Sequence, residues 1–290
     1  MVLNPTGGDL GLESVQGALR RHLEARSERL EVYRVRGGDD IPAVVRDAVE
    51  RGYTICVAGG GDGTASAVAN GLLGTQALLG VIPIGTGSVL ARELGIPLAA
   101  DKACALIAGP HAVKIIDAMR IRDRCCFLNL SAGISALTMR DTPGHRKHRL
   151  GVAAYVWTGL RSLAGFHPGR FSLEVDQERL WARASEVLVL NGGVPVRALI
   201  GNRRPASLDD GELNVYILRT RTLGDYLSLA WKLLLGRERL DPRVRFAVAR
   251  QRVWISSEPK LPVQGDGEPI GDTPVDIHLV RRAVRVIVPA

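Results

Sequence analysis

Apolar and polar residues follow two different periods along the first third of the chain. Apolar runs at 54–58 and 79–84 have the length of buried strands, and residues 30–36 alternate as in a half-buried strand. Helical spacing of apolar positions occurs between and after these runs, at 10–23, 41–49, 65–73 and 89–94. Strands and helices in this alternating order predict a parallel sheet that helices cover on both faces.

The pattern changes near residue 112, after which strand-like runs dominate. Alternating runs joined by turns predict an antiparallel second domain built as a β-sandwich. The expected strands lie at 113–121, 125–130, 170–175, 186–191, 213–218, 243–256 and 283–288, and helical spacing occurs at 150–163 and 223–235. The predicted domains are 1–112 and 113–290, with the last strand free to return toward the first domain.

The formal net charge of +8 on 290 residues points to an anionic partner. A nucleotide, a nucleic acid and an anionic membrane surface all satisfy this charge, and a GC-rich genome would also enrich the chain in arginine. Aromatic residues make up only 4% of the chain, which argues against a stacking surface for single-stranded nucleic acid. No nucleic-acid partner is therefore expected.

Cysteine spacing and hydropathy indicate in which cellular compartment the protein is expected. The four cysteines form no Cys-x-x-Cys pair, so buried free thiols in a reducing cytoplasm are expected. No apolar stretch approaches the roughly 18 residues of a membrane-spanning helix, and the first residues do not resemble a secretory signal. The sequence predicts a soluble cytoplasmic protein that can still lie on a membrane surface.

A glycine cluster at 59–64 separates the third predicted strand from the helix that follows it. Glycines let an anion approach the backbone N–H groups at the positive end of a helix dipole, so this turn predicts a phosphate site. Asp62 lies inside the turn and would repel a bare phosphate unless a divalent cation lay between them. The simpler alternative is that Asp62 caps the helix.

A second glycine turn, at 85–88, follows the next strand and also precedes a helix-like segment. Because the carboxyl ends of neighbouring parallel strands meet at one edge of a sheet, the two turns are expected to face one crevice. Two such turns together are a more specific signal for a phosphate ligand than either turn alone.

Acidic residues at three further places have a structural and a functional interpretation. The Asp-Gly-Glu at 266–268 and the Asp-Asp-Gly at 209–211 are ordinary turn sequences, and Asp117 ends an apolar run. A glycine between two acids lets both turn toward one cleft, so the Asp-Gly-Glu is also a candidate for acid–base chemistry.

A basic cluster at 145–149 precedes an apolar stretch that contains Tyr155 and Trp157. Such a segment is typical of an interfacial helix, whose charges meet anionic headgroups while the aromatic rings lie at the boundary. A core helix with a solvated basic end is the alternative. Trp231 has the same two interpretations.

In their order along the chain, these motifs resemble the diacylglycerol kinase catalytic family of lipid kinases, which includes bacterial diacylglycerol kinase-like and sphingosine kinase-like enzymes. The matching motifs are Asn-Pro-Thr-Gly-Gly at 4–8, Gly-Gly-Asp-Gly-Thr at 60–64, Pro-x-Gly-Thr-Gly at 83–87, Ile-Asp at 116–117, Pro-Ala-x-x-x-Asp-Gly at 205–211 and Asp-Gly-Glu at 266–268. The resemblance implies an amino-terminal nucleotide-binding domain similar to those of phosphofructokinases and NAD kinases. A carboxy-terminal β-rich domain would follow, with ATP in the cleft.

Carried over by position, the resemblance assigns roles to single residues. The nucleotide and its phosphates would be bound by residues of the amino-terminal turns, namely Asn4, Gly7, Gly8, Gly60, Gly61, Asp62, Gly63, Thr64, Gly85, Thr86, Gly87 and Ser88. Asp62 and Asp117 would organise the active-site Mg²⁺, and Asp210 would hold a second, structural cation. Glu268 would be the general base with Asp266 as its partner, although the sphingosine kinase branch ascribes this role to the acid at Asp62.

One departure from the family pattern follows the second glycine turn. Many members have Asn and then Asp there, whereas this chain has Ser88 and Val89. Ser88 is still expected to cap the helix and to donate to phosphate. The set of carboxylates that the resemblance implies for Mg²⁺ therefore lacks one member.

These observations predict an ATP- and Mg²⁺-dependent lipid kinase that phosphorylates a hydroxyl group of a membrane lipid such as diacylglycerol. An anionic membrane surface would be its second partner, met at the inner face of the cell membrane, and a homodimer is an open alternative to a monomer. An NAD kinase-like enzyme and a catalytically idle nucleotide- or lipid-binding regulator remain alternatives.

Overall fold

The computed structural model describes residues 1–4, 9–24, 29–85, 87–140, 168–192, 207–220, 224–225, 228 and 241–290. The backbone divides into two compact units, one formed by 1–118 together with 280–290 and the other by 119–279. The predicted helix at 150–163, the basic cluster at 145–149 and Trp231 lie outside the described residues, as does most of the predicted helix at 223–235.

The first unit alternates strands and helices as the apolar pattern predicts. Its strands are β1 (Val2–Leu3), β2 (Tyr33–Arg34), β3 (Ile55–Gly60) and β4 (Leu78–Pro83), and its helices are α1 (Asp9–Glu24), α2 (Ile41–Glu50), α3 (Asp62–Leu72), α4 (Val89–Glu93) and α5 (Ala100–Ala108). The strands are parallel in the order β2-β1-β3-β4. The end of the last strand, β16 (Val275–Val288), pairs in parallel with β4.

Helix contacts in the first unit follow from local sequence features. Asp40 caps α2 by accepting the backbone N–H of Ala43 at 3.0 Å. Helices α2 and α3 pack closely because Gly71 has no side chain. A Cβ at this position would lie only 2.5 Å from the Cβ of Val45. Helix α1 packs on α5, so that the sheet has two pairs of helices, as expected for an α/β domain.

The second unit consists mainly of antiparallel strands. They are β5 (Ala112–Ile121), whose residues up to 118 belong to the first unit, β6 (Arg124–Cys126), β7 (Asn129–Gly133), β8 (Gly169–Val175), β9 (Glu178–Ala184), β10 (Glu186–Leu190), β11 (Leu213–Leu218), β12 (Val244–Ala249), β13 (Arg252–Glu258), β14 (Pro262–Gly265) and β15 (Glu268–Asp272), with helix α6 (Ile134–Arg140) after β7. One sheet has the order β12-β11-β10-β7-β14-β15, and the start of β16 continues the other sheet through β13, β8 and β9.

The core of the second unit lies between these two sheets. Val187 and Val189 of β10 and Leu173 of β8 belong to one buried cluster. Their immediate neighbours along each strand point to the opposite face of the sheet. This alternation confirms the predicted β-sandwich. The four cysteines are free and buried, as expected. In the described ranges, no helix combines the length and apolar character that crossing a bilayer requires.

Two strand predictions are wrong, and in both places a distant carboxylate binds the backbone. The expected strand at 125–130 is interrupted because the side chain of Asp266 accepts the N–H groups of 127–129. The expected strand at 243–256 is two strands in different sheets. Here Asp176 accepts the N–H groups of residues 250–252, which holds the chain where it crosses from β12 to β13.

Candidate active site

The first glycine turn has the strand–turn–helix geometry that the sequence predicts. Strand β3 ends at Gly60, and α3 begins at Asp62, three residues earlier than the apolar spacing indicates. The N-cap residue Gly61 is extended, and no side chain caps the amino end of α3. The first N–H groups of α3 therefore have no capping side chain, as an anion site at a helix end requires.

The backbone of the second glycine turn lies directly against the backbone of the first. A Cβ added at Gly85 would lie 2.6 Å from the Cα of Gly61, closer than real Cβ contacts. The N–H groups of Ile84 and Gly85 both point to the carbonyl oxygen of Gly60, at 3.1 and 3.3 Å. The structure thus brings the two predicted turns together, which the sequence could only suggest from their places at neighbouring strand ends.

Asp62 caps a helix, but that helix is α4 and not its own. Its Oδ2 accepts the N–H of Val89 at 3.0 Å, and its Oδ1 accepts the N–H of Leu90 at 3.0 Å. Ser88 has a left-handed backbone with φ of 45° and makes no side-chain cap, so its predicted capping role is wrong. Its hydroxyl group instead donates to the carbonyl oxygen of Gly85 at 2.9 Å.

Asn4 joins the end of β1 to the first turn of α3. Its backbone N–H donates to the carbonyl oxygen of Gly59, and its Nδ2 donates to Oγ1 of the buried Thr64, both at 3.0 Å. Gly60 must lack a side chain here, because a Cβ would lie 2.5 Å from that Oγ1 atom. Asn4 and Thr64 therefore hold the shape of the turn; Gly7, Gly8 and Thr86 lie outside the described residues.

Asp117 is 2% exposed on β5, within the first unit. Its Oδ1 accepts the backbone N–H of Arg282 at 2.7 Å, and Arg282 has a left-handed φ of 55°. The burial of a carboxylate needs such donors to be tolerated. The observed contact holds Asp117 against β16 and leaves its predicted metal role a prediction.

In the second unit, the Asp-Gly-Glu sequence forms a two-residue hairpin between β14 and β15. Gly265 pairs with Glu268, and the two residues between them, Asp266 and Gly267, have left-handed φ values of 50° and 84°. This is the geometry expected for an Asp-Gly hairpin turn. Glu268 begins β15 on the exposed side of the turn.

Asp266 is buried, and its carboxylate is used by the backbone. Its Oδ2 accepts the N–H of Phe127 at 2.7 Å, and its Oδ1 accepts those of Leu128 at 2.9 Å and Asn129 at 3.1 Å. These charge-assisted bonds fix the turn against the segment before β7. Asp266 therefore orders the chain that presents Glu268, and its predicted role as a chemical partner of Glu268 stays a prediction.

Sequence reasoning missed a polar group beneath this turn. Gln264 of β14, Ser131 of β7 and Glu186 of β10 lie on the face of their sheet that is opposite the core. Burial raises the pKa of the Glu186 carboxyl to about 7, although hydroxyl groups of Ser135 and Ser131 act against this shift. The available signal was a polar residue within each of the otherwise apolar runs 261–264 and 186–190.

Asp210 shapes a surface turn. Its Oδ2 accepts the N–H of Ser207 at 2.9 Å, and its Oδ1 accepts that of Glu212 at 3.0 Å. Among the residues that the structure describes, no group of three or more His, Cys, Asp or Glu side chains has the arrangement of a metal site. Asp62 and Asp210 retain oxygen lone pairs of the kind that Mg²⁺ binds, so they fit the ion as single ligands.

Two family models together match most of the chain. One, described as the diacylglycerol kinase catalytic domain, matches residues 1–121. The other, described as the YegS C-terminal NAD kinase beta sandwich-like domain, matches residues 129–288. The order of the two matches agrees with the α/β unit followed by the β-sandwich.

Similar whole proteins carry kinase names. A diacylglycerol kinase of Bacillus subtilis is 28% identical over 302 residues, which cover 100% of this chain and 95% of the relative. A protein of Pseudomonas aeruginosa named "Probable lipid kinase YegS-like" is 33% identical over 302 residues, covering 98% of this chain and 92% of the relative. A crystal structure of a diacylglycerol kinase from Bacillus anthracis has a TM-score of 0.73 at 20% identity, over 99% of this chain and 95% of that chain, and shares the fold.

Proposed function

The chain belongs to the diacylglycerol kinase catalytic domain family of lipid kinases, and from this premise we propose that it transfers the γ-phosphoryl group of ATP to a hydroxyl group of a membrane lipid such as diacylglycerol. The observation that carries the proposal is the contact between the two glycine turns at Gly61 and Gly85. The contact lies beside the amino end of α3, which no side chain caps. Such a helix end suits a chain of phosphate groups.

The ATP phosphates would lie against the N–H groups of the first turn, where glycines leave room for their oxygens. Phosphoryl transfer depends mainly on positioning and on stabilisation of negative charge, and preorganised backbone donors supply both. Asp62 supports this arrangement indirectly, because its carboxylate fixes the start of α4 beside the turn. On the β1 side of the turn, the hydrogen bond from Asn4 to Thr64 stabilises the first turn of α3.

Glu268 is the proposed general base. It is an exposed carboxylate directly after a hairpin turn that several hydrogen bonds hold in place. A carboxylate at such a position can accept the proton of a lipid hydroxyl group as the oxygen attacks phosphorus. In the described part of the chain no hydrogen bond or ion pair occupies Glu268, so its oxygens are available to a substrate.

Mg²⁺ is the proposed metal, with Asp62 and Asp117 as ligands and Asp210 as the holder of a second cation. When bound, the ion would neutralise negative charge on the phosphates. Asp62 would reach it with the lone pairs that the N–H groups of Val89 and Leu90 leave unused. Many family members have an acid where this chain has Val89. The backbone N–H of Val89 donates to Asp62, and this bond does not depend on the side chain at position 89.

The lipid acceptor requires contact with a membrane, and the net charge of +8 favours an anionic surface. We therefore place the protein at the inner face of the cell membrane, as a peripheral protein of the cytoplasm. Vesicles that contain about 30% anionic lipid should bind the protein, and binding should weaken as salt rises from about 50 to 500 mM.

The direct test is transfer of labelled phosphate from ATP to a panel of lipids in mixed micelles, with the product identified by mass. Diacylglycerol, monoacylglycerol, ceramide and sphingosine form the panel, and NAD is offered in a parallel reaction. We expect a phosphorylated lipid that depends on added Mg²⁺. A phosphorylated NAD product, or ATP binding with no product from any lipid, would overturn the proposal.

A further inference from the structure

A continuous row of hydrogen bonds runs beneath the hairpin that presents Glu268. The N–H of Gly267, the residue before Glu268, donates to Oε1 of Gln264 at 3.0 Å. The Nε2 of the same side chain donates to Oγ of Ser131 at 3.0 Å, across the pairing of β14 with β7. Gln264 is only 8% exposed and Ser131 is fully buried, so water does not compete for the bond between them, whereas the bond to the exposed Gly267 is partly buried.

The row ends at a buried carboxyl group. Glu186 is 3% exposed, and the hydroxyl groups of Ser131 and Ser135 lower the pKa of its carboxyl, whereas its Oε1 has no hydrogen-bond partner among the described residues. Ser131 accepts from Gln264, so its own proton goes to Glu186. The N–H of Gly267 and the amide of Gln264 therefore donate in the same direction along the row, and Nε2 of Gln264 also donates to Oδ1 of Asn129 at 3.5 Å. Hydrogen bonds aligned in this way polarise and strengthen one another in a low-dielectric interior.

We propose that Gln264 is a positioning residue for Glu268, and that Ser131 and Glu186 fix the orientation of its side-chain amide. The inference rests on the proposed role of Glu268 as the general base. The amide must present oxygen to Gly267 and nitrogen to Ser131. In the reversed orientation, the amide nitrogen would face the N–H of Gly267 as donor against donor.

The two residues of the turn are held from two sides. Asp266 is bound to the segment 127–129 through its carboxylate, whereas Gly267 is bound through its N–H to Gln264. Both have left-handed φ values, and at Asp266 such a conformation needs support from its surroundings. Loss of the Gln264 contact would leave Asp266 anchored while the peptide that leads into Glu268 rotates. A displacement of this kind lowers the rate of transfer, because catalysis depends on the place of the base to within about 1 Å.

The test uses the full chain with four variants of the row. Gln264→Met removes both bonds at similar volume, and Ser131→Ala removes the link to Glu186. Glu186→Met removes the terminal acceptor, whereas Glu186→Gln retains an acceptor oxygen and is the conservative variant. The matched control is Ser185→Ala, which deletes a buried hydroxyl group beside Glu186 whose partners, Leu218 and Thr220, lie off the row.

Two measurements separate positioning from general stability. The first is kcat for lipid phosphorylation together with KM for ATP, and the second is the hydrogen-exchange rate of the Gly267 amide by NMR. We expect Gln264→Met to lower kcat by about tenfold to a hundredfold at unchanged KM for ATP. The Gly267 amide should exchange roughly fivefold faster, as the loss of one hydrogen bond implies. Glu186→Met and Ser131→Ala should show smaller changes in the same direction, and Glu186→Gln should recover most of the loss.

Each failure has its own signature. Unchanged exchange at Gly267 in Gln264→Met, or faster exchange with unchanged kcat, overturns the inference. An equal loss of kcat in Ser185→Ala also overturns it, because the effect would then be one of general stability. Full turnover by Glu268→Gln would instead remove the proposed base. If Gln264→Met does not fold, the milder Ser131→Ala carries the same two measurements.

Discussion

The carboxylate of Asp62 accepts the backbone N–H of Val89 at 3.0 Å, so the first residue of α3 caps the first residue of α4. Its second oxygen takes the N–H of Leu90 at the same distance. The two glycine turns are thereby joined by a charged side chain as well as by the contact of Gly61 with Gly85. Asp62, which is expected to serve a metal ion, therefore also holds together the two turns of the proposed nucleotide site.

Replacing Asp62 with alanine should affect both stability and phosphate binding. Two N–H groups at the start of α4 lose their acceptor, and loss of a helix cap lowers the free energy of unfolding by about 1–2 kcal/mol. Urea denaturation and ATP binding measure the two effects. The control is Asp40→Ala, which removes the side-chain cap of α2, a single N–H contact. It should lower stability and leave ATP affinity intact; equal ATP loss in both variants would contradict the assignment.

The contact between the turns predicts an asymmetry between its two glycines. Gly85→Ala places a Cβ 2.6 Å from the Cα of Gly61, whereas a Cβ at Gly61 would lie 3.7 Å from the Cα of Gly85. We expect Gly85→Ala to lower the free energy of unfolding by about 2 kcal/mol or more, because backbone must move. Gly61→Ala should change stability by less than about 1 kcal/mol. Comparable melting temperatures for the two variants would show that the turns do not touch in solution.

Glu268→Gln should remove lipid phosphorylation while ATP still binds. The amide cannot accept the hydroxyl proton, and loss of a general base lowers kcat by about 10²- to 10⁴-fold. Single-turnover transfer and equilibrium binding of ATP are the measurements. Glu258→Gln, at an exposed position of β13, is the matched control and should retain full activity.

Asp266→Ala should be among the most destabilising single changes in the second unit. It leaves three N–H groups at 127–129 without their acceptor in a buried place, which predicts a loss of roughly 3 kcal/mol or more. Thermal and urea unfolding test this. Asp176→Ala is the comparison, because it also loses three N–H contacts but at a largely exposed turn, and its loss should be smaller. A larger loss for Asp176→Ala would count against the account.

The Glu186 carboxyl should make stability depend on pH. Burial raises its pKa from 4.5 to about 7 in the folded state, so the folded protein binds the proton more tightly than the unfolded chain. Stability contributed by this group is present below pH 4.5 and is lost as pH rises toward 7. Urea unfolding from pH 5 to 8 should show the decline in the parent chain and a flatter profile in Glu186→Gln. Identical slopes in the two proteins would refute the prediction, and the exposed Glu178→Gln serves as control.

The sequence alone determined the features that depend on neighbouring residues. The alternation of strands and helices up to α4 follows from the period of apolar positions, and the hairpin at 266–267 follows from the preference of Asp-Gly for left-handed backbone. The two glycine turns were visible because only glycine allows such close approach of backbone. The ordered motifs indicated the lipid kinase family, which the comparisons confirm.

Only the tertiary structure decided which groups those side chains meet. Asp62 binds N–H groups 27 and 28 residues away, and Asp266 binds others up to 139 residues away. Contacts between residues remote in sequence also interrupt two predicted strands. Such contacts link Gln264 to Ser131, and Ser131 to Glu186. A carboxylate or an amide bonds to whichever donors the folded chain brings within about 3 Å, and local propensity carries no information on partners so remote in sequence.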